Sequence, residues 1–180
     1  MKPMFKGLIV AAVHVAIVAS LGAKMLYDRQ TRPRVWARCV PYDPDLPVRG
    51  RYVNLQLEVE APGIQPPKKN KYGYYYDTRI SVILSKENDR LVARRDPAAG
   101  PDDMYRLNRD IITFRQLRPE QPVLAQEVLF FIPEHIEDPS RRAGGEELWV
   151  EVTLPKKGPP RPIRLAVKKQ DGTFTPMQIN

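Results

Sequence analysis

Residues 8–23, LIVAAVHVAIVASLGA, run without a formal charge, and no other feature of this 180-residue chain constrains its fold as strongly. An α-helix rises 1.5 Å per residue, so about 20 residues cross ~30 Å of hydrocarbon. Residues 7–26 meet that length, because the stem of Lys24 can lift its ammonium to the headgroups while Met25, Leu26 and Tyr27 continue the apolar run. A cleaved signal peptide competes with a retained anchor, since Lys2 and Lys6 form a basic segment ahead of the apolar run. The residues around Gly22 and Ala23 make a poor small-x-small cleavage site, which favours retention. His14 lies mid-span, where a neutral imidazole on a lone helix is tolerated or packs against a partner helix.

The chain divides into a basic tail (1–6), a transmembrane anchor (7–26), a basic juxtamembrane segment (27–38) and a domain from 39 to 180. The net charge of +8 follows this division. Lys2, Lys6 and Lys24 carry three of the eight charges, and Arg29, Arg32, Arg34 and Arg38 against Asp28 carry three more. Only two remain for residues 39–180, so the excess is a collar beside the membrane, suited to anionic lipid headgroups. No nucleic-acid partner is expected of a domain so nearly neutral. The same collar bears on orientation. Under the positive-inside rule it would hold the domain in the cytoplasm. Short basic N-termini usually stay inside, however, and long domains cross largely regardless of charge, so an extracytoplasmic domain is expected.

Proline sets the class of that domain. With 19 prolines against 10 glycines, the chain cannot be built mainly of long helices, and it suits short strands joined by proline-bearing turns. Its single cysteine, Cys39, excludes an intramolecular disulfide and reads as a small buried apolar residue. Residues 51–60, RYVNLQLEVE, place Val53, Leu55, Leu57 and Val59 on one face and Asn54, Gln56 and Glu58 on the other, a half-buried antiparallel strand. Residues 147–154 alternate likewise, with Leu148, Val150, Val152 and Leu154 inward. Further strands are expected over 35–40, one or two within 72–86, then 90–95, 111–115, 123–132, 163–168 and 173–179. The 90–95 strand pairs back through the Glu87-Asn88-Asp89 turn, and 134–142 holds a short helical turn. About nine strands with little helix predict a mainly β fold, an antiparallel β sandwich or open β barrel behind a transmembrane helix.

Residues 43–57, DPDLPVRGRYVNLQL, resemble the signature of the GDYxxLxY-domain family of bacterial membrane-anchored proteins. Asp43, Pro44, Gly50, Tyr52 and Leu55 fit it, while Arg51 replaces the aspartate of the family name and Leu57 its second tyrosine. Residues 129–134, LFFIPE, resemble a second family segment through Phe131, Pro133 and Glu134, and a Glu-Leu-x-Val-x-Val strand follows at 147–152. The resemblance implies a single-pass protein of the inner membrane with a periplasmic domain. That family carries no assigned biochemical activity and accompanies polytopic membrane proteins, so a membrane or envelope protein partner is implied. Physically the motif reads as structure: glycine frees the backbone at strand entry, Tyr52 caps an edge and Leu55 packs inward.

No catalytic constellation emerges. Ser20, Ser81, Ser85 and Ser140 are the only serines, and neighbours Ser85 and Lys86 point to opposite faces of a strand. His135 between Glu134 and Glu137 is too thin a set for a metal, and no cofactor motif is present. Tyr72, Tyr74, Tyr75 and Tyr76, beside Lys68, Lys69 and Lys71, form the candidate binding surface, against the plainer reading of a tyrosine-rich strand packed on one face. The expectation is a non-enzymatic accessory component of a membrane protein assembly. A glycan- or small-ligand-binding domain using the tyrosines, and an atypical membrane-bound hydrolase, are the alternatives.

Overall fold

The computed structural model describes residues 3–41, 52–66, 68, 71–73, 79–100, 110–115, 118, 120–133, 135–136, 138–139, 144–156 and 158–179. The chain forms two compact units, Met1–Arg32 and Pro33–Asn180.

The first unit is one helix, α1 (Pro3–Thr31). Proline at its start gives up only a donor that the first turn leaves unused, and Pro33 bars continuation at its end. Its apolar side chains are exposed around the whole circumference: Leu8, Val15 and Val18 at 68%, 68% and 71%, with Ile9 and Val10 above half. The polar groups within it turn back on their own backbone. His14 Nδ1–H donates to the Val10 carbonyl at 2.7 Å, and Ser20 Oγ donates to Ile17 at 2.8 Å. The helix is long and apolar enough to cross a membrane, a test that a signal sequence near an N-terminus also passes.

The second unit is mainly β. Ten strands are described: β1 (Arg34–Pro41), β2 (Tyr52–Leu57), β3 (Ile80–Glu87), β4 (Arg90–Arg95), β5 (Asp110–Thr113), β6 (Val123–Leu124), β7 (Val128–Phe131), β8 (Glu147–Thr153), β9 (Arg161–Lys168) and β10 (Phe174–Pro176). They make a six-stranded sheet in the order β10-β9-β8-β1-β2-β7 and a four-stranded sheet in the order β4-β3-β5-β6, every pair antiparallel. The two curled sheets enclose one core as half-barrels of a sandwich. Leu55, Leu57, Val150, Val152 and Leu165 from the larger sheet meet Ile112, Leu124, Leu91 and Ala93 from the smaller.

Alternation placed the core residues correctly. Val53, Leu55, Leu57 and Val59 are at most 5% exposed, and Leu148, Val150 and Val152 at most 3%. Cys39 is buried in the core, its thiol donating to the Leu148 carbonyl at 3.3 Å. The polar faces are less open than alternation implies. Asn54 is buried, donating to the Glu127 carboxylate, and Glu151 and Thr153 are buried as well.

Two expectations on strand limits are corrected. Residues 123–132 are two strands, β6 in the small sheet and β7 in the large one, because Val123–Leu124 finds its partner in β5 and Val128–Phe131 in β2. The described part of 72–86 begins its strand only at Ile80, and Tyr72 lies in a turn closed by Gly73 at φ +83°. Within the stretch 27–38, α1 runs to Thr31 and β1 begins at Arg34. Much of the helical turn expected over 134–142 lies outside the described residues, and those described there form only turns.

Candidate functional site

The site follows from where β2 leaves β1. The two pair through Cys39–Leu57, Val40–Gln56 and Pro41–Leu55, and their last link is the Glu58 N–H to the Arg38 carbonyl at 2.9 Å. Beyond it the chain crosses to the other sheet. The Val59 N–H donates to Pro122, the Glu60 N–H to Leu91, and the Glu60 carbonyl accepts from Ala93. Trp36 and Ala37 are thus left without β2 on that edge, and a groove of about 610 Å³ opens there.

Strand alternation furnishes its walls. In β1, Val35, Ala37 and Cys39 enter the core, which turns Trp36 and Arg38 outward. In β8, Leu148, Val150 and Val152 enter the core, which turns Glu147, Trp149 and Glu151 outward. Register then assembles the outer face, with Arg38 opposite Trp149, Trp36 opposite Glu151, Ala166 opposite Trp149 and Phe174 opposite Lys168. The Phe174 ring meets Trp36 edge-on at 4.9 Å and Trp149 at 6.1 Å. Ala166 shares that outer face yet is fully buried beneath these neighbours. Arg164 lies 5.3 Å from the Trp36 ring centre, and Lys168 Nζ lies 5.6 Å from that of Trp149.

Five of the charges that line the groove, Arg38, Glu58, Glu60, Arg90 and Glu147, pair within it. Arg38 spans two carboxylates, Glu58 and Glu147, each at 3.5 Å. Arg115 approaches the other oxygen of Glu58 at 3.7 Å, Arg90 pairs with Glu60, and Trp149 Nε1–H donates to Glu147 at 3.1 Å. Glu58 stands apart: its side chain is only 9% exposed, and Oε1 accepts no hydrogen bond. The Arg115 guanidinium is what offsets the burial of that oxygen.

The residues singled out in the sequence fare unevenly. Tyr52 and Phe131, 79 positions apart, are cross-strand partners whose rings meet at 5.5 Å, exposed on β2 and the edge strand β7. Leu55 is wholly buried. Pro133 accepts the Ile136 N–H in a turn. Asp43, Pro44, Gly50 and Glu134 lie outside the described residues, as do Lys69, Tyr74, Tyr75 and Tyr76. Of the tyrosine–lysine surface, Lys68 is exposed, and Lys71 Nζ stands 4.9 Å from the centre of the exposed Tyr72 ring. Arg38, counted with the lipid-facing collar, pairs with Glu58 and Glu147. Arg32 is paired with Asp28 at 3.0 Å.

Of the metal candidate, Glu134 and Glu137 lie outside the described residues; the hydrolase candidate is described. Ser85 Oγ donates to Glu87 at 3.1 Å while Lys86 pairs with Asp89 at 2.6 Å, so the two neighbours engage different acids. Among the described residues no three of histidine, cysteine, aspartate and glutamate gather as metal ligands.

Sequence reading passed over Trp36, Trp149 and Glu58. A signal for them was present, because both tryptophans of the chain occupy polar-face positions of alternating strands, where a core has no use for them. No family model matches the chain, and neither the curated proteins nor the solved structures provide a match to its sequence or fold.

Proposed function

We propose that this chain is a single-pass, membrane-anchored envelope protein whose β domain lies outside the cytoplasm and acts by binding, as a non-enzymatic accessory of a membrane protein assembly. The observation that carries this reading is α1, a 29-residue helix apolar and exposed on every side. A core helix of a soluble protein would be mostly buried, whereas this apolar surface is covered by nothing else among the described residues, which suits lipid. The resemblance to the GDYxxLxY-domain family supports the same anchoring and the same side. Arg29, Arg32 and Arg34 follow the apolar span closely enough to serve anionic headgroups. The exposed Tyr52, Leu129 and Phe131 on β2 and β7 offer an apolar surface for a protein partner.

Alkaline extraction of membranes should leave the full chain in the pellet, and a periplasm-active reporter fused after Asn180 should be active. Release into the supernatant removes the anchor, and a reporter active only in the cytoplasm reverses the side. Purification in mild detergent should bring down a membrane protein in fixed ratio, and a chain recovered alone would defeat the accessory role.

A second reading, a small-ligand domain, is favoured by the groove beside Trp36 and Trp149 rather than by the tyrosines first considered.

A further inference from the structure

We propose that the groove where β2 parts from β1 is a binding site for a neutral oligosaccharide, seated against Trp36 and Trp149 with its hydroxyls on Arg38 and Glu147. The inference rests on reading the β domain as a binding module and is independent of the anchor.

Three observations converge on that ligand class. The groove, at about 610 Å³, falls within the range of ligand sites and is large enough for two or three sugar rings. Both tryptophans stand on the outward face of the sheet, where a flat apolar ring serves the C–H face of a sugar better than it serves a core. Arg38 and Glu147 line the groove beside Trp149 with side chains 28% and 33% exposed, which leaves a donor and an acceptor within a ligand's reach.

Charge then separates the possible ligands. Arg38, Arg90 and Lys168 line the groove together with Glu58, Glu60, Glu120 and Glu147, a near balance that gives little to recruit an ion. A hydroxyl can donate or accept here without bringing a charge that would upset the pairs already made. The same alternation of guanidinium and carboxylate, Arg38 beside Glu147, offers donor and acceptor to vicinal hydroxyls. A peptide strand is the weaker fit. The stretch of β1 edge that lines the groove is Trp36–Arg38, and β2 already claims Arg38, which leaves less than a strand's length for main-chain pairing.

The site also carries its own reporter, since the chain's two tryptophans both line it. The full chain, held in a polyoxyethylene detergent that carries no sugar, is titrated with maltotetraose, cellotetraose and chitotetraose while tryptophan emission is followed. At least one should produce a saturable change in the millimolar range or below. Glu147→Gln should weaken that binding tenfold or more, and Trp149→Ala should do the same with Trp36 still reporting. Trp149→Ala removes a ring from the outer face, so it keeps the test open should Glu147→Gln fail to fold.

Flat emission with all three sugars overturns the proposal. So does a saturable change with tetralysine alone, which would make the groove a basic-peptide site, and so does unchanged affinity in both variants. A chain that still co-purifies with a membrane protein while its emission stays flat loses the saccharide site and keeps the accessory function. A chain that binds sugar but is washed from membranes does the reverse.

Discussion

Asp110 shows how one buried group sets a pH dependence. It opens β5 with no ion-pair partner among the described residues, and burial pushes its carboxyl up to about 6. The folded state therefore holds the proton more tightly than the unfolded chain. That contribution to stability is complete below the ordinary carboxylate range near 3.8 and is lost as pH rises through about 6. At pH 7.5 the ionised carboxylate costs about 1–2 kcal/mol, after allowance for solvent screening of a partly exposed group. Asp110→Asn should raise the unfolding free energy from urea titration by that amount at pH 7.5 and leave it nearly unchanged at pH 4; equal effects at both would show that charge burial is not the cause. Nothing in the residues around Asp110 announces this in the sequence, because burial is decided by the strands packed over it. Glu58 was hidden for the same reason. Alternation assigned it to a solvent face, and only the crossing of residues 58–60 to the second sheet buried it.

At the scale of elements, the hairpin of β3 and β4 was plain in the sequence, and its turn explains why. Asn88 and Asp89 both take left-handed backbone, φ 48° and 60°, a geometry that suits the twist of a two-residue hairpin loop and that Asn and Asp tolerate. Asp89→Gly should stabilise the domain by about 0.5 kcal/mol, since relief of backbone strain outweighs the exposed ion pair with Lys86. A lower thermal midpoint would show that the pair dominates. The split of 123–132 into β6 and β7 was not visible, since the stretch VLAQEVLFF contains no glycine or proline to mark a break. What ends β6 is its partner: β5 offers it a register of two residues, after which the chain turns and the next apolar run pairs with β2. Helix α1 is the opposite case, since its composition and Pro33 set its character and its end with no help from distant contacts.

Across the whole β unit, two sheets share one core, and the segment 58–60 stitches them through hydrogen bonds to Leu91, Pro122 and Ala93. Such a unit should unfold in one step. Leu165→Ala in the large sheet and Leu124→Ala in the small one should each cost about 2–5 kcal/mol and lower the same single transition. Two separable transitions, each sensitive to one substitution, would show that the sheets are independent. The amino-acid sequence by itself determined the apolar helix, the mainly β class and the inward faces of β2 and β8, because each rests on a local period or a local composition. Tertiary structure alone decided which strands are neighbours, and with them the groove. Trp36, Glu58 and Trp149 come from three distant stretches of chain, and only the register of β1 with β8 and the departure of β2 bring them to one place. Periodicity fixes the face on which a side chain lies, whereas pairing across the sheet fixes what it lies beside.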